Sequence, residues 1–210
     1  MARRKKAPAS THRTAIAQAA QTLFQNQGIP ATTVEDIARA AGYSKATVYV
    51  YFKNKEEIIS FLTLESMKQL QACITHALSS HAEARARYDA ICSALQQYQE
   101  QYPFYFNIAL QEIHTDLDNP DTLPVEIEIF ETGEEINKSL TDFIESGIQN
   151  GDFCPDTAAL PTVFAFWAML SGLVLMAASK EHYIRQSMGL TRQEFLKQGF
   201  DTLYRSISAR

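Results

Sequence analysis

Only three cysteines, seven prolines and eight glycines occur in 210 residues, and each scarcity removes a class of protein. Cys73, Cys92 and Cys154 are odd in number, far apart and without a Cys-x-x-Cys pair. Neither a disulfide framework nor a zinc site is expected; three reduced, mostly buried thiols of a cytosolic protein are. There is no glycine-rich phosphate loop, no nucleophile elbow and no His-x-x-x-His pair, and the five histidines are scattered. The common catalytic and cofactor signatures are thus missing, so the expectation is a protein without catalysis, metal or cofactor. Alternating apolar–polar runs, hairpin signals and internal repeats are missing too, which leaves an all-α fold. The N-terminal basic residues are followed by no apolar run, so no secretory signal is expected.

What is present is enough apolar side chain, 46%, to bury a core in one large domain or in a small one plus a medium one. The net charge of -5 argues at first against a nucleic-acid partner. Its distribution reverses that impression. Residues 1–55 hold nine Lys or Arg against Glu35 and Asp36, whereas residues 56–210 hold ten against 22 acids. A basic front on an acidic body is the footprint of a nucleic-acid-binding module. Arg3, Arg4, Lys5 and Lys6 form a basic arm over residues 1–9, suited to phosphates or a minor groove.

The chain is organised around residues 33–55, TVEDIARAAGYSKATVYVYFKNK. Thr33 followed by Asp36 starts a helix, and Val34, Ile37, Ala38 and Ala41 give it an apolar face. Gly42 stands where a left-handed residue turns the chain. Ser44 caps a second helix, Lys45 to Val50, and Asn54 followed by Glu57 starts the next. Two short helices joined by a tight turn read as a helix-turn-helix, whose second helix enters the DNA major groove. Three capped helices of an ordinary bundle would share the caps. They would not place Thr47, Tyr49 and Tyr51 beside Lys45 on the outside, where glutamates and lysines suffice for solubility. Hydroxyls and one lysine suit phosphate oxygens and base edges.

Residues 10–56 resemble the DNA-binding domain of the TetR family of bacterial transcriptional regulators. The likeness rests on Leu23-Phe24, Gly28, Thr33, Ile37-Ala38, Ala41-Gly42, Thr47, Tyr49, Tyr51-Phe52 and Lys55. It implies that Lys45, Thr47, Tyr49 and Tyr51 face the groove and backbone, with Ala46 close to bases, while Thr33, Ser44 and Lys55 meet phosphates. Lys45 suits a guanine edge and a phosphate about equally well. The resemblance further implies a homodimer on a double-stranded, near-palindromic operator, and a repressor released by a small-molecule effector held in residues 57–210.

That larger region reads as helices over about 54–81, 84–101, 103–115, 125–150, 157–179 and 191–208, giving about nine in all. A helix at 11–27 steadies the reading motif through Ile16, Ala20, Leu23 and Phe24, with His12 expected on the surface. Residues 157–179 carry no charge and are long enough to span a bilayer. Pro161, the Ser171-Gly172 pair and the lack of a positive flank favour a buried helix and no membrane. A helix apolar all round serves a core on one side and a subunit interface on the other, and the resemblance implies pairing of the last two helices across a dimer. Phe104, Tyr105, Phe106, Phe164, Phe166 and Trp167 are candidates to line an effector pocket or simply to fill the core. Cys92, Gln111 and His114 are candidate polar contacts there. The rival readings are a DNA binder indifferent to sequence, a membrane sensor and a helical enzyme.

Overall fold

The computed structural model describes residues 8–110, 119 and 121–209, and among them the fold is all-α. The elements are α1 (Ala9–Gln27), α2 (Val34–Ala41), α3 (Lys45–Tyr51), α4 (Lys55–Ser79), α5 (Ala84–Gln101), α6 (Pro103–Ala109), α7 (Pro124–Gln149), α8 (Ala159–Ser179), α9 (Glu181–Met188) and α10 (Arg192–Ile207). Among the described residues there are therefore ten helices rather than about nine. Helix α9 is the addition. It has eight residues and buries only Ile184, too little apolar pattern for a sequence reading to find. The helix expected over 103–115 ends at Ala109, with Leu110 in a turn, and residues 111–115 lie outside the described residues.

Two compact units divide within α4, between Glu65 and Ser66. The first holds the described residues up to Glu65, with those from Asn119 to Ile129. Its core is Ile16, Ala20 and Phe24 of α1, Ile37 and Ala38 of α2, Val48 of α3, Phe52, and Ile58 and Leu62 of α4. Local signals set the turns. Thr33 accepts from Asp36 N while Asp36 Oδ2 accepts from Thr33 N, both at 3.2 Å, which closes a capping box. Gly42 at φ 75° ends α2 in the left-handed region, and its N–H reaches the carbonyls of Ala38 and Arg39. Ser44 Oγ accepts from Thr47 N at 3.0 Å, and Asn54 Oδ1 from Glu57 N at 2.8 Å.

The second unit packs α5 against α6, α8 and α10, and α8 against α9 and α10. A single antiparallel bridge, Phe153 to Ser208, fastens the loop after α7 to the end of α10, with Cys154 N donating to Ile207 O at 2.8 Å. Helix α8 is long and apolar enough to cross a membrane by length and composition. Its buried residues, Val163, Leu170, Ser171, Val174 and Ala177, fall on one side. Met169 and Met176 remain exposed on the other, whereas Leu160 and Phe164 are exposed beside the buried stripe.

Candidate functional site

In the first unit, α3 presents a small outward face. Lys45, Ala46, Tyr49 and Val50 are exposed, with Tyr49 at 47% and Val50 at 76%, while Val48 behind them is fully buried. Positions 46, 49 and 50 share one side of a helix. Val50 was not among the residues singled out from the sequence. An exposed valine four residues after Ala46, beside Tyr49, was the signal available, and its apolar tip suits a thymine methyl. Lys45 pairs with Glu35 of α2 and lies 5.9 Å from the Tyr49 ring. The bond between them holds the Lys45 ammonium above its ordinary pKa and the Glu35 carboxyl below its own.

The other expected DNA contacts are placed differently. Thr33 and Ser44 are exposed, but their hydroxyls serve the caps of α2 and α3. Thr47 is half-buried, and its Oγ1 lies 2.8 Å from Ser44 Oγ. Tyr51 is half-buried beneath His12, whose ring stacks on it at 5.3 Å. His12 is also 2.7 Å from Tyr43 OH through Nδ1, so it is a built-in part of the head and not a surface residue. Lys55 Nζ donates to Ile29 O at 2.9 Å and Thr32 O at 3.0 Å, which ties the α1–α2 loop to the start of α4. Two of its three N–H donors are thereby taken within the protein. Lys55→Ala is expected to lower thermal stability by about 1–3 kcal/mol, the range for hydrogen bonds to a charged group. It should leave the salt dependence of DNA binding within about half a unit; thermal melts and salt titrations measure the two separately. Arg3, Arg4, Lys5 and Lys6 lie outside the described residues.

The second unit holds a cavity of about 150 Å³ lined by Met67, Ala109, Gly133, Asn137, Phe164 and Trp167 among others. A tighter one of about 40 Å³ adjoins it, lined by Ile74, Tyr88, Phe143, Phe166, Trp167 and Ile207 among others. Of the residues expected at an effector pocket, Phe164, Phe166 and Trp167 are present. Phe106 is not: it is core, 6.2 Å from Tyr98. Phe104 and Tyr105 belong to an aromatic run at the start of α6 and line neither cavity. Cys92 faces a separate polar groove between α5 and α10, beside Arg85 and Asp201, and burial pushes its thiol up to about 12. Gln111 and His114 lie outside the described residues. Tyr88, Gly133, Asn137, Leu140 and Val163 were missed. They come from three helices, and no local pattern marks them.

An open groove between α8 and the segment from α9 to α10 is lined by Met169, Leu173, Met188, Leu190, Phe195 and Leu203, among others. Gly172, on the exposed side of α8, would meet nothing within 4 Å if it carried a Cβ.

Known proteins share both the reading motif and the fold around it. Residues 16–60 match the sequence profile of bacterial regulatory proteins, tetR family. The HTH-type transcriptional regulator TtgR of Pseudomonas putida is 35% identical over 83 residues, covering 40% of this chain and 39% of that protein. The match thus spans well under half of that relative's length. The HTH-type transcriptional repressor KstR2 of Mycolicibacterium smegmatis is 28% identical over 153 residues, 71% of this chain and 70% of that one. A solved structure of the transcriptional regulator FadR from Bacillus subtilis, in complex with stearoyl-CoA, has the same fold with a TM-score of 0.68. It is 19% identical, over 91% of this chain and 97% of that chain. The capped helix-turn-helix, its exposed face and these likenesses converge: residues 16–60 are a DNA-binding module of the kind found in bacterial regulatory proteins, tetR family.

Proposed function

We propose that this chain is a cytoplasmic, ligand-responsive transcriptional repressor that binds a near-palindromic operator as a homodimer and leaves it when a small molecule fills the second unit. The observation that carries this reading is the outward face of α3, where Lys45, Ala46, Tyr49 and Val50 combine charge, a hydroxyl and apolar tips over a buried Val48. A good bidentate base contact is worth about 1–3 kcal/mol, so one short helix discriminates weakly. Two heads related by a twofold axis double the contacts and fix the half-site spacing.

The dimer forms through α8 and α10. The outer side of α8, with Met169 and Met176 exposed, and the bare Gly172 favour close approach of a second copy. A twofold interface meets itself, so one apolar face covers both copies. An effector needs only to prefer the conformation whose heads are wrongly spaced.

Enrichment of bound duplexes from a random pool tests the reading. A near-palindrome is expected, with the protein eluting as a dimer; binding that follows salt alone and ignores sequence overturns it. Tyr49→Ala is expected to cost about 1–3 kcal/mol of affinity for the enriched duplex and to leave the melting temperature unchanged. A matching loss of thermal stability would make Tyr49 a packing residue.

A further inference from the structure

The two apolar cavities form one narrow channel in outline. Leu140, Val163 and Trp167 belong to the walls of both. On α7, the larger lobe is lined from Gly133 to Leu140 and the smaller from Leu140 to Ile144. The pair therefore follows about eleven residue steps of one helix, roughly 16 Å at about 1.5 Å per residue. The larger lobe opens beside Phe164, which is 56% exposed, whereas the smaller ends among Ile74, Leu95 and Ile207, all buried. No lysine, arginine, histidine, aspartate or glutamate lines either lobe among the described residues. A charge placed there would lose its hydration without gaining a partner. In the smaller lobe the Tyr88 hydroxyl is already committed to Phe200 O at 2.9 Å. In the larger one the Asn137 amide makes, among the described residues, only a bond to Glu134 at 3.1 Å, leaving its carbonyl oxygen for a donor.

Gly133 is a second, independent sign that this space is kept. A glycine inside a helix is destabilising relative to alanine, so it needs a reason. Gly147 and Gly199 have one, because an added Cβ would collide with Phe153 and Leu173. At Gly133 an added Cβ would meet only Met67 Cε at 3.6 Å, an ordinary contact. Close packing does not demand this glycine; an open lobe does.

We infer that the effector is an uncharged, linear molecule, a hydrocarbon chain with one hydrogen-bonding end. The chain lies along α7 with its tail toward Ile207 and its polar end at Asn137. This deepens the reading above, on which it rests. Among the described residues a phosphate-bearing carrier finds no cation in either wall, and a compact ring system has no room in the smaller lobe, which holds only about 40 Å³.

Trp167 is the sole tryptophan, so its emission reports occupancy of the waist directly. The full-length protein is titrated with decan-1-ol, with 1-adamantanol, which packs the same number of carbons into a cage, and with decyltrimethylammonium. Decan-1-ol is expected to move the emission saturably, with the cage and the cation at least about tenfold weaker, a difference set by shape in one case and charge in the other. Gly133→Leu, which fills the larger lobe, is expected to weaken decan-1-ol about tenfold or more while the enriched duplex is bound as before. Val163→Phe, which closes the waist, serves if Gly133→Leu fails to fold. Equal binding of the cage or the cation, or an undiminished response in the filled variant, overturns the inference. A pool that yields no preferred duplex would instead sink the regulator reading, while the alcohol titration still decides the channel.

Discussion

Gly147→Ala is expected to destabilise the second unit by about 3 kcal/mol or more. The new Cβ would lie 3.1 Å from Phe153 Cγ and closer still to the ring edge. The ring has nowhere to go. Phe153 is 1% exposed, edge-on to Phe143 at 5.4 Å and to Tyr204 at 6.1 Å. The backbone there is pinned as well, since Gly147 O accepts from Asp152 N at 2.8 Å and Phe153 N at 3.1 Å. Overpacking alone costs about 1–3 kcal/mol, and expelling the ring would cost about 3–5 kcal/mol in lost packing. Against a whole-protein stability of about 5–15 kcal/mol, the melting temperature should fall by roughly 6–12 °C, at about 2–4 °C per kcal/mol in a chain of this size. Gly133→Ala is the internal control. The two glycines share one helix, yet the control should melt at or slightly above the wild-type temperature. A wild-type melt for Gly147→Ala would mean the Phe153 ring is not held.

Arg13→Ala is expected to disable the reading head without touching its outward face. Its guanidinium donates to Tyr51 O at 2.7 Å and pairs with Glu57 at 3.2 Å. It also lies 4.3 Å from the Phe52 ring centre and 5.4 Å from that of Phe61. One side chain of α1 thus fastens the end of α3 to the start of α4. Removing it strands the Tyr51 carbonyl and takes the cation from the Glu57 carboxylate, which is largely shielded from solvent and, among the described residues, keeps only the Lys53 N–H at 2.6 Å. Breaking one side of such a pair costs about 3–5 kcal/mol when buried; about 2–4 kcal/mol is expected for this partly shielded one. Loss of helical circular dichroism should then begin at lower temperature, while Trp167 emission, which senses only the second unit, should melt as before. Arg13→Lys should restore part of the loss, because a lysine cannot hold two acceptors in one plane and cover a ring. Coincident melting by both probes at the wild-type temperature would remove Arg13 from this role.

The first unit was legible because its determinants are local. A cap three residues ahead of its partner, a glycine at the turn and an apolar period inside eight residues all leave marks in consecutive sequence. Thr33 with Asp36, Gly42 and Ser44 did so. His12 did not, since its partners Tyr43 and Tyr51 lie 31 and 39 positions away, and nothing beside His12 announces either. The cavity shows the same limit more strongly. Phe104, Tyr105 and Phe106 were conspicuous as a cluster, but on a short helix neighbouring aromatics pack on one another and on Tyr98. The actual walls draw single residues from separate helices, and a space is defined as much by Gly133 as by any ring. Helix α9 escaped because it is only eight residues long and buries Ile184 alone.

The fit of Leu173 against Gly199 has a consequence for how such a chain changes over generations. The side chain of one occupies the place where the other would put a methyl group, so neither position is free to drift by itself. Relatives bearing a larger residue at 199 should carry a smaller one at 173. A larger residue at 199 should be accepted together with a smaller one at 173 where it is rejected alone.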